Sequence, residues 1–220
     1  MQDHAKPRTV SFTDMKSGTH EDYLLLRELE EPFVKGTAAR VLQVMAAQEE
    51  ETIEGYKVSR LAHGLQCATR AWRDGADADW VAAALLHDIG DGLAPQNHDQ
   101  FAAAMLRPYL REEVVWCVEH HGTFQMVYYA HHYGWNQFER DKYQGEPHYA
   151  ACAEFCERWD QASFDPDYDT LPLAFFAPLV HAVFARPPYK PETLLPGVKK
   201  PLADPVAARS RPTAASALGM

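Results

Sequence analysis

The chain has 220 residues, 46% of them hydrophobic and 24% charged, with a formal net charge of −10 at pH 7. Such a chain suits one globular domain whose folding withdraws roughly 70% of its unfolded surface from water. An acidic balance with no basic face argues against a nucleic-acid partner, and the lack of a polybasic segment argues against an acidic membrane surface.

Residues 12–19 are polar and turn-like, and residues 21–29 and 36–51 carry amphipathic helical spacing. A helix is expected over 58–73, stopped by Gly75. Asp77 and Asp79 suit the cap of the next helix, which runs through Trp80 and Leu86 and ends near Gly90 or Gly92. The loop DGLAPQN leads to a short Ala-rich helix over 98–106, limited by Pro108. Residues 112–121 read as a helix closed by Gly122, and residues 123–146 as aromatic and irregular. Pro147 suits the first turn of a helix reaching about Ala162. A turn-rich connector, FDPDYDTLP, precedes a last helix over 173–185. From residue 187 the chain is rich in Pro, Ala and Ser and reads as an extended or disordered tail.

No alternating strand pattern, internal repeat, glycine-rich phosphate loop, GxSxG or CxxC occurs. The expectation is an all-α helical bundle at 21–186, with an N-terminal segment at 1–20 and a tail at 187–220. The longest apolar runs, residues 80–86 and 171–180, fall short of the roughly 20 residues a spanning helix needs. MQDHAKPRTV at the start has no apolar signal region, so a cytoplasmic protein is expected. Cys67, Cys117, Cys152 and Cys156 sit in apolar helical contexts and read as small core residues.

Eleven histidines are many for this length. His4, His20 and His181 occupy terminal or amphipathic contexts that suit surface polarity. The pair His87-Asp88 is different, because it follows the wholly apolar WVAAALL. An imidazole beside a carboxylate at the end of a buried helix is costly unless compensated. A divalent cation compensates both groups, and a hydrogen-bonded core pair is the alternative. His121 extends the stripe of Val114, Cys117 and Val118 and should face the core, whereas His120 points about 100° away. Asp160 extends the face of Tyr149, Cys152 and Cys156, where a carboxylate needs a cation or several donors. Cys67, one turn on, supports an inward His63. The residues alone leave His98 open between a ligand and a polar helix start.

The blocks HGLQCATRA, ALLHDIGD, NHDQFAAAMLRPY, EHHGTFQ and FCERWDQASFDPDYDTLPL, across roughly residues 56–175, resemble the HD-domain superfamily. They are most similar to short HD proteins often labelled predicted phosphohydrolases, some of which are mixed-valent diiron oxygenases. That branch is related to the oxygenases that cleave 1-hydroxy-2-aminoethylphosphonate and its N-trimethyl analogue, and more remotely to myo-inositol oxygenase. The resemblance implies two iron ions, Fe(II)/Fe(III), with O2 as cosubstrate. One iron would take His63, His87, Asp88 and Asp160, and the other Asp88, His98 and His121.

The implied reaction is oxidative C–P or C–C cleavage of a small hydroxylated substrate, the metals supplying the oxygen chemistry. Tyr56 stands in the segment where relatives carry a mobile residue that occupies an iron position until substrate arrives. Asp91, Gln125, Tyr129, His132 and Arg158 are the candidate substrate-binding residues, and Tyr128 to Trp135 a candidate aromatic wall. Asp91, Gln125, Glu157 and Ala62 depart from the aminophosphonate enzymes' pattern. Asp91 and Glu157 point instead to a cationic substrate end, such as a trimethylammonium group. The alternatives are a metal-dependent phosphohydrolase acting on a nucleotide or phosphomonoester, and a binding protein that keeps the metal fold without turnover.

Overall fold

A computed structural model describes residues 8–50 and 54–189 of the protein. Among these residues the regular structure is helical throughout, with eight α-helices and no strand, as the sequence pattern led us to expect. His4 and most of the expected tail lie outside the described residues.

Helix α1 (His20–Lys35) starts on a capping box, in which Thr19 accepts from Asp22 N–H and Asp22 accepts from Thr19 N–H. It continues through Pro32 and leaves Leu24, Leu29, Phe33 and Val34 exposed. After Gly36, α2 (Thr37–Ala47) buries Ala38, Val41 and Met45. Ser59 caps α3 (Arg60–Arg73) by accepting from Ala62 N–H. Gly75 has φ +90, a left-handed conformation suited to glycine, and ends that segment. Asp77 then caps α4 (Ala78–Leu86).

Helix α4 is the centre of the bundle. Every residue from Trp80 to Leu86 is buried, as befits a helix that is apolar on all sides. It packs against α3, α6 (Glu112–Tyr129) and α8 (Leu173–Phe184). The α3–α4 contact depends on Gly64, where a Cβ would lie 2.8 Å from the Leu85 carbonyl oxygen. That close approach sets His63 on α3 opposite His87 at the end of α4.

Helix α1 runs six residues past its expected end at Leu29, and two later elements differ from the sequence expectation. The helix begun at Glu112 does not stop at Gly122 but runs to Tyr129. Gly122 keeps a negative φ, and its bare face lies toward α5 (His98–Leu106), where a Cβ would sit 3.4 Å from Asp99 Oδ2. Its glycine serves close packing rather than a helix end. The helix expected from Pro147 to Ala162 is instead α7 (Tyr149–Phe155) followed by a π-turn at Cys156–Asp160. There Gln161 N–H donates to the Cys156 carbonyl, one residue further back than in an α-helix. All four cysteines are free and buried. No helix among the described residues is long and apolar enough to cross a membrane.

Candidate metal centre

Four helices and two turns converge at α4's C-terminal end. His63 comes from α3 and His87 is the residue that closes α4. Asp88 follows in the turn, His98 opens α5, His121 lies in α6 and Asp160 ends the π-turn. His63 Nε2 lies 3.1 Å from His87 Nε2 and 3.2 Å from Asp160 Oδ1. His87 Nε2 lies 3.5 Å from the same Asp160 oxygen. Asp88 divides its carboxylate: Oδ2 is 3.4 Å from His63 Nε2 and 3.5 Å from His87 Nε2. Its Oδ1 is 3.1 Å from His121 Nε2 and 3.4 Å from His98 Nε2.

Backbone carbonyls set the ring protons of the three buried histidines. The Nδ1–H groups of His63, His87 and His121 donate to Ser163, Ala84 and Val118 at 2.9, 3.0 and 2.7 Å. Each neutral ring therefore presents a bare Nε2 lone pair inward. The 3.1 Å approach of His63 and His87 then sets two lone pairs face to face, an arrangement that a cation between them relieves. Asp160 Oδ2 is buried with no hydrogen-bond partner among the described residues. Orphaned acceptors and convergent nitrogen and oxygen donors are the chemistry of a metal site. Three groups of such ligand atoms, each within 4.8 Å of one another, are present: His63–His87–Asp160, His87–Asp88–His121 and Asp88–Asp91–His98.

The family model of the HD domain matches residues 55–161. That segment is an HD domain. No curated protein matches the chain. The HD domain carries every residue of the cluster, and α2 and α8, outside the matched segment, bury Met45 and Val180 in the same core.

Charge in the HD cluster is mutually adjusted. Burial works against protonation of His63, His87 and His121, but Asp88 and Asp160 outweigh it and raise all three pKa values. Burial likewise works against ionised Asp88 and Asp160, yet the imidazoles, His87 foremost, hold both below the usual carboxylate range. Proton and metal ion therefore compete for the same Nε2 atoms.

A cavity of about 850 Å³ opens over the cluster, its wall including His63, Asp88, His98, His121 and Asp160. Tyr128, Tyr129, Tyr133 and Trp135 form an aromatic side, so this stretch does more than pack on itself. Gln125 and Asp91 also line the cavity. Tyr56 lies at its mouth, 52% exposed, stacked on Phe164 at 5.7 Å, which in turn stacks on His63 at 4.5 Å. Two expected substrate contacts are not on the wall. His132 is exposed and pairs its ring with His131, because the 3-10 turn at Ala130–Tyr133 directs it outward. Arg158 is drawn to the surface by Asp74 at 2.8 Å and Glu154 at 3.0 Å. Glu157 also stays outside, accepting from the Tyr128 hydroxyl at 2.7 Å. His120 stacks on Trp116 at 4.2 Å, away from the cluster.

Sequence reasoning did not find Lys57, Phe164 or the Ser163 carbonyl. Lys57 and Arg60 supply the lysine and arginine charge on the cavity wall among the described residues. The position of Lys57 just before α3 is the one signal available for it; Arg60, which opens that helix, is among the arginines the sequence offers as anion partners. A backbone acceptor such as Ser163 carries no residue-type signature at all.

Proposed function

We propose that this HD-domain chain is a non-heme diiron oxygenase that uses O2 to cleave a C–P or C–C bond of a small hydroxylated substrate. The observation that carries the reading is the divided carboxylate of Asp88, whose two oxygens face two separate imidazole pairs. One ion would be held by His63, His87, Asp88 and Asp160, and a second by Asp88, His98 and His121. Open positions on nitrogen–oxygen sites of this kind suit iron that must meet both substrate and O2. When bound, two irons would supply the activation of O2, with all four electrons furnished by the substrate and no external reductant consumed.

The protein's own part is positional. The three Nδ1–H donors on backbone carbonyls keep the Nε2 atoms turned inward. The aromatic side of the cavity flanks the approach to the cluster. Its faces suit a cationic substrate end, an attraction of roughly 0.5–2 kcal/mol. Lys57 on the cavity wall suits an anionic end. A quaternary-ammonium hydroxyphosphonate carries both ends, and we take such a cytoplasmic small molecule as the substrate class.

Anaerobic Mössbauer spectroscopy of iron-loaded protein, with and without hydroxyphosphonates, tests the proposal, followed by O2-uptake measurements. Two coupled irons per chain and substrate-dependent O2 consumption are expected. Iron that never exceeds one per chain overturns it. Lys57 also favours a second reading, metal-dependent phosphohydrolysis, in which a two-ion site would clamp a phosphoryl group. Phosphate release under strict anaerobiosis, supported by redox-inert ions, would replace the first reading with the second.

A further inference from the structure

Asp91, in the turn after the HD pair, uses its two oxygens separately. Oδ2 lies 2.7 Å from Arg60 Nε, and Oδ1 lies 3.4 Å from His98 Nδ1. On the opposite edge of that ring, His98 Nε2 lies 3.4 Å from Asp88 Oδ1. The imidazole is therefore held between two carboxylates, one at each nitrogen. A ring cannot turn both nitrogens to one ion, so a ligand Nε2 leaves Nδ1 to carry the proton.

His98 needs such a partner more than the other three histidines do. Those three are buried, and each is tethered through Nδ1 to a backbone carbonyl. The His98 side chain is 26% exposed, and no carbonyl accepts from its ring among the described residues. We infer that Asp91 is the positioning residue of His98, fixed in turn by Arg60, rather than a group that touches substrate. The inference rests on the two-ion reading above.

The local backbone is shaped for this contact. A Cβ at Gly90 would lie 2.9 Å from the His98 carbonyl oxygen and 3.1 Å from its Cα. Only a residue without a side chain lets the HD turn close on the start of α5 and bring Asp91 alongside the ring. Arg60 reaches both carboxylates, since its Nη1 is 3.5 Å from Asp88 Oδ2. The Asp91 charge is thus compensated within the protein and is not spare for a cationic ligand. Carboxylate–imidazole–metal chains of this type fix ring tautomer and orientation.

Co(II) titration of the metal-free full chain, followed by calorimetry and visible absorption, tests the inference. Wild type should take two equivalents. Asp91→Ala should weaken one equivalent by about 10- to 100-fold, alter that equivalent's visible bands and leave the other unchanged. Asp91→Asn, which keeps an acceptor toward Nδ1, should restore most of the loss. Both equivalents unaltered in Asp91→Ala, or both weakened alike, overturns the inference. Should Asp91→Ala fail to fold, Asp91→Leu, which also lacks the acceptor, and Arg60→Lys decide: weakening confined to one equivalent supports it, and unchanged binding overturns it. A wild-type chain that takes only one Co(II) overturns the two-ion reading, and this inference with it. Two equivalents in wild type with an indifferent Asp91→Ala overturns the inference alone.

Discussion

The floor and the rim of the cavity are built on opposite principles. The floor is made of short side chains on helix ends and tight turns, with His63, His87, His121 and Asp160 all nearly inaccessible. Each imidazole there has one nitrogen fixed by the backbone and one turned inward. The rim is made of large, half-open rings: Tyr56, Tyr129, Tyr133 and Trp135 are 52, 40, 66 and 58% exposed. Rigid polar geometry at the bottom suits a metal, and yielding aromatic surface at the top suits selection among substrates. Chemistry and preference should therefore be separable by mutation.

The largest effect expected is on the floor. His121→Ala should remove about one equivalent of metal and abolish turnover, whereas His120→Ala, one residue earlier and stacked on Trp116, should retain both ions. Metal analysis of the two purified variants checks this. Equal metal loss from both would break the contrast between inward and outward faces of α6.

The floor should also show opposite pH behaviour with and without metal. His63, His87 and His121 have raised pKa values, so in the metal-free protein their contribution to stability is fully present below the ordinary histidine pKa. It is lost as pH rises through the raised values. Metal binding needs the same rings neutral, so the loaded protein should lose its ions as pH falls through that range. Thermal unfolding of both forms between pH 6 and 8 should give slopes of opposite sign. Parallel slopes would mean that the histidines are not the ligands.

A smaller effect is expected from the scaffold that forms the floor. Gly64→Ala places a methyl group 2.8 Å from the Leu85 carbonyl oxygen. Overpacking of roughly 1–3 kcal/mol should exceed the ~1 kcal/mol that alanine gains in a helix. A net loss of about 1 kcal/mol corresponds to a fall in Tm of roughly 2–4 °C, readable by calorimetry. An unchanged or raised Tm would show that α3 and α4 have room to spare. The mildest change is at the rim. Trp135→Ala should raise KM several-fold while metal content and the metal-loaded Tm stay as in wild type; a loss of metal would join rim and floor into one unit.

Much of this fold was legible in the residues. WVAAALL between an acidic cap and HD announces a buried helix ending in polar groups, and α4 is that helix. The stripe of Val114, Cys117 and Val118 gives His121 its direction, because helical phase propagates reliably over two turns. What escaped has a common cause. Gly122 looks like a helix stop in a single sequence, yet its role is contact with Asp99 on another helix. Arg158 and His132 have suitable side chains, but Asp74 and the 3-10 turn decide where they point. Asp91 reads as a free carboxylate until Arg60, from α3, is placed beside it. Local pattern carries phase and burial, and it carries nothing about which distant partner claims a polar group first.

At Cys156–Asp160 the chain winds more loosely than in the α-helix before it. Wound as an ordinary α-helix, at about 100° per residue, the same five residues would carry Asp160 further around the axis. The carboxylate would leave the nitrogen cluster although no coding letter of Asp160 itself had changed. The winding of one turn would in this way separate a complete cluster from one that lacks its second carboxylate, with the bundle unchanged.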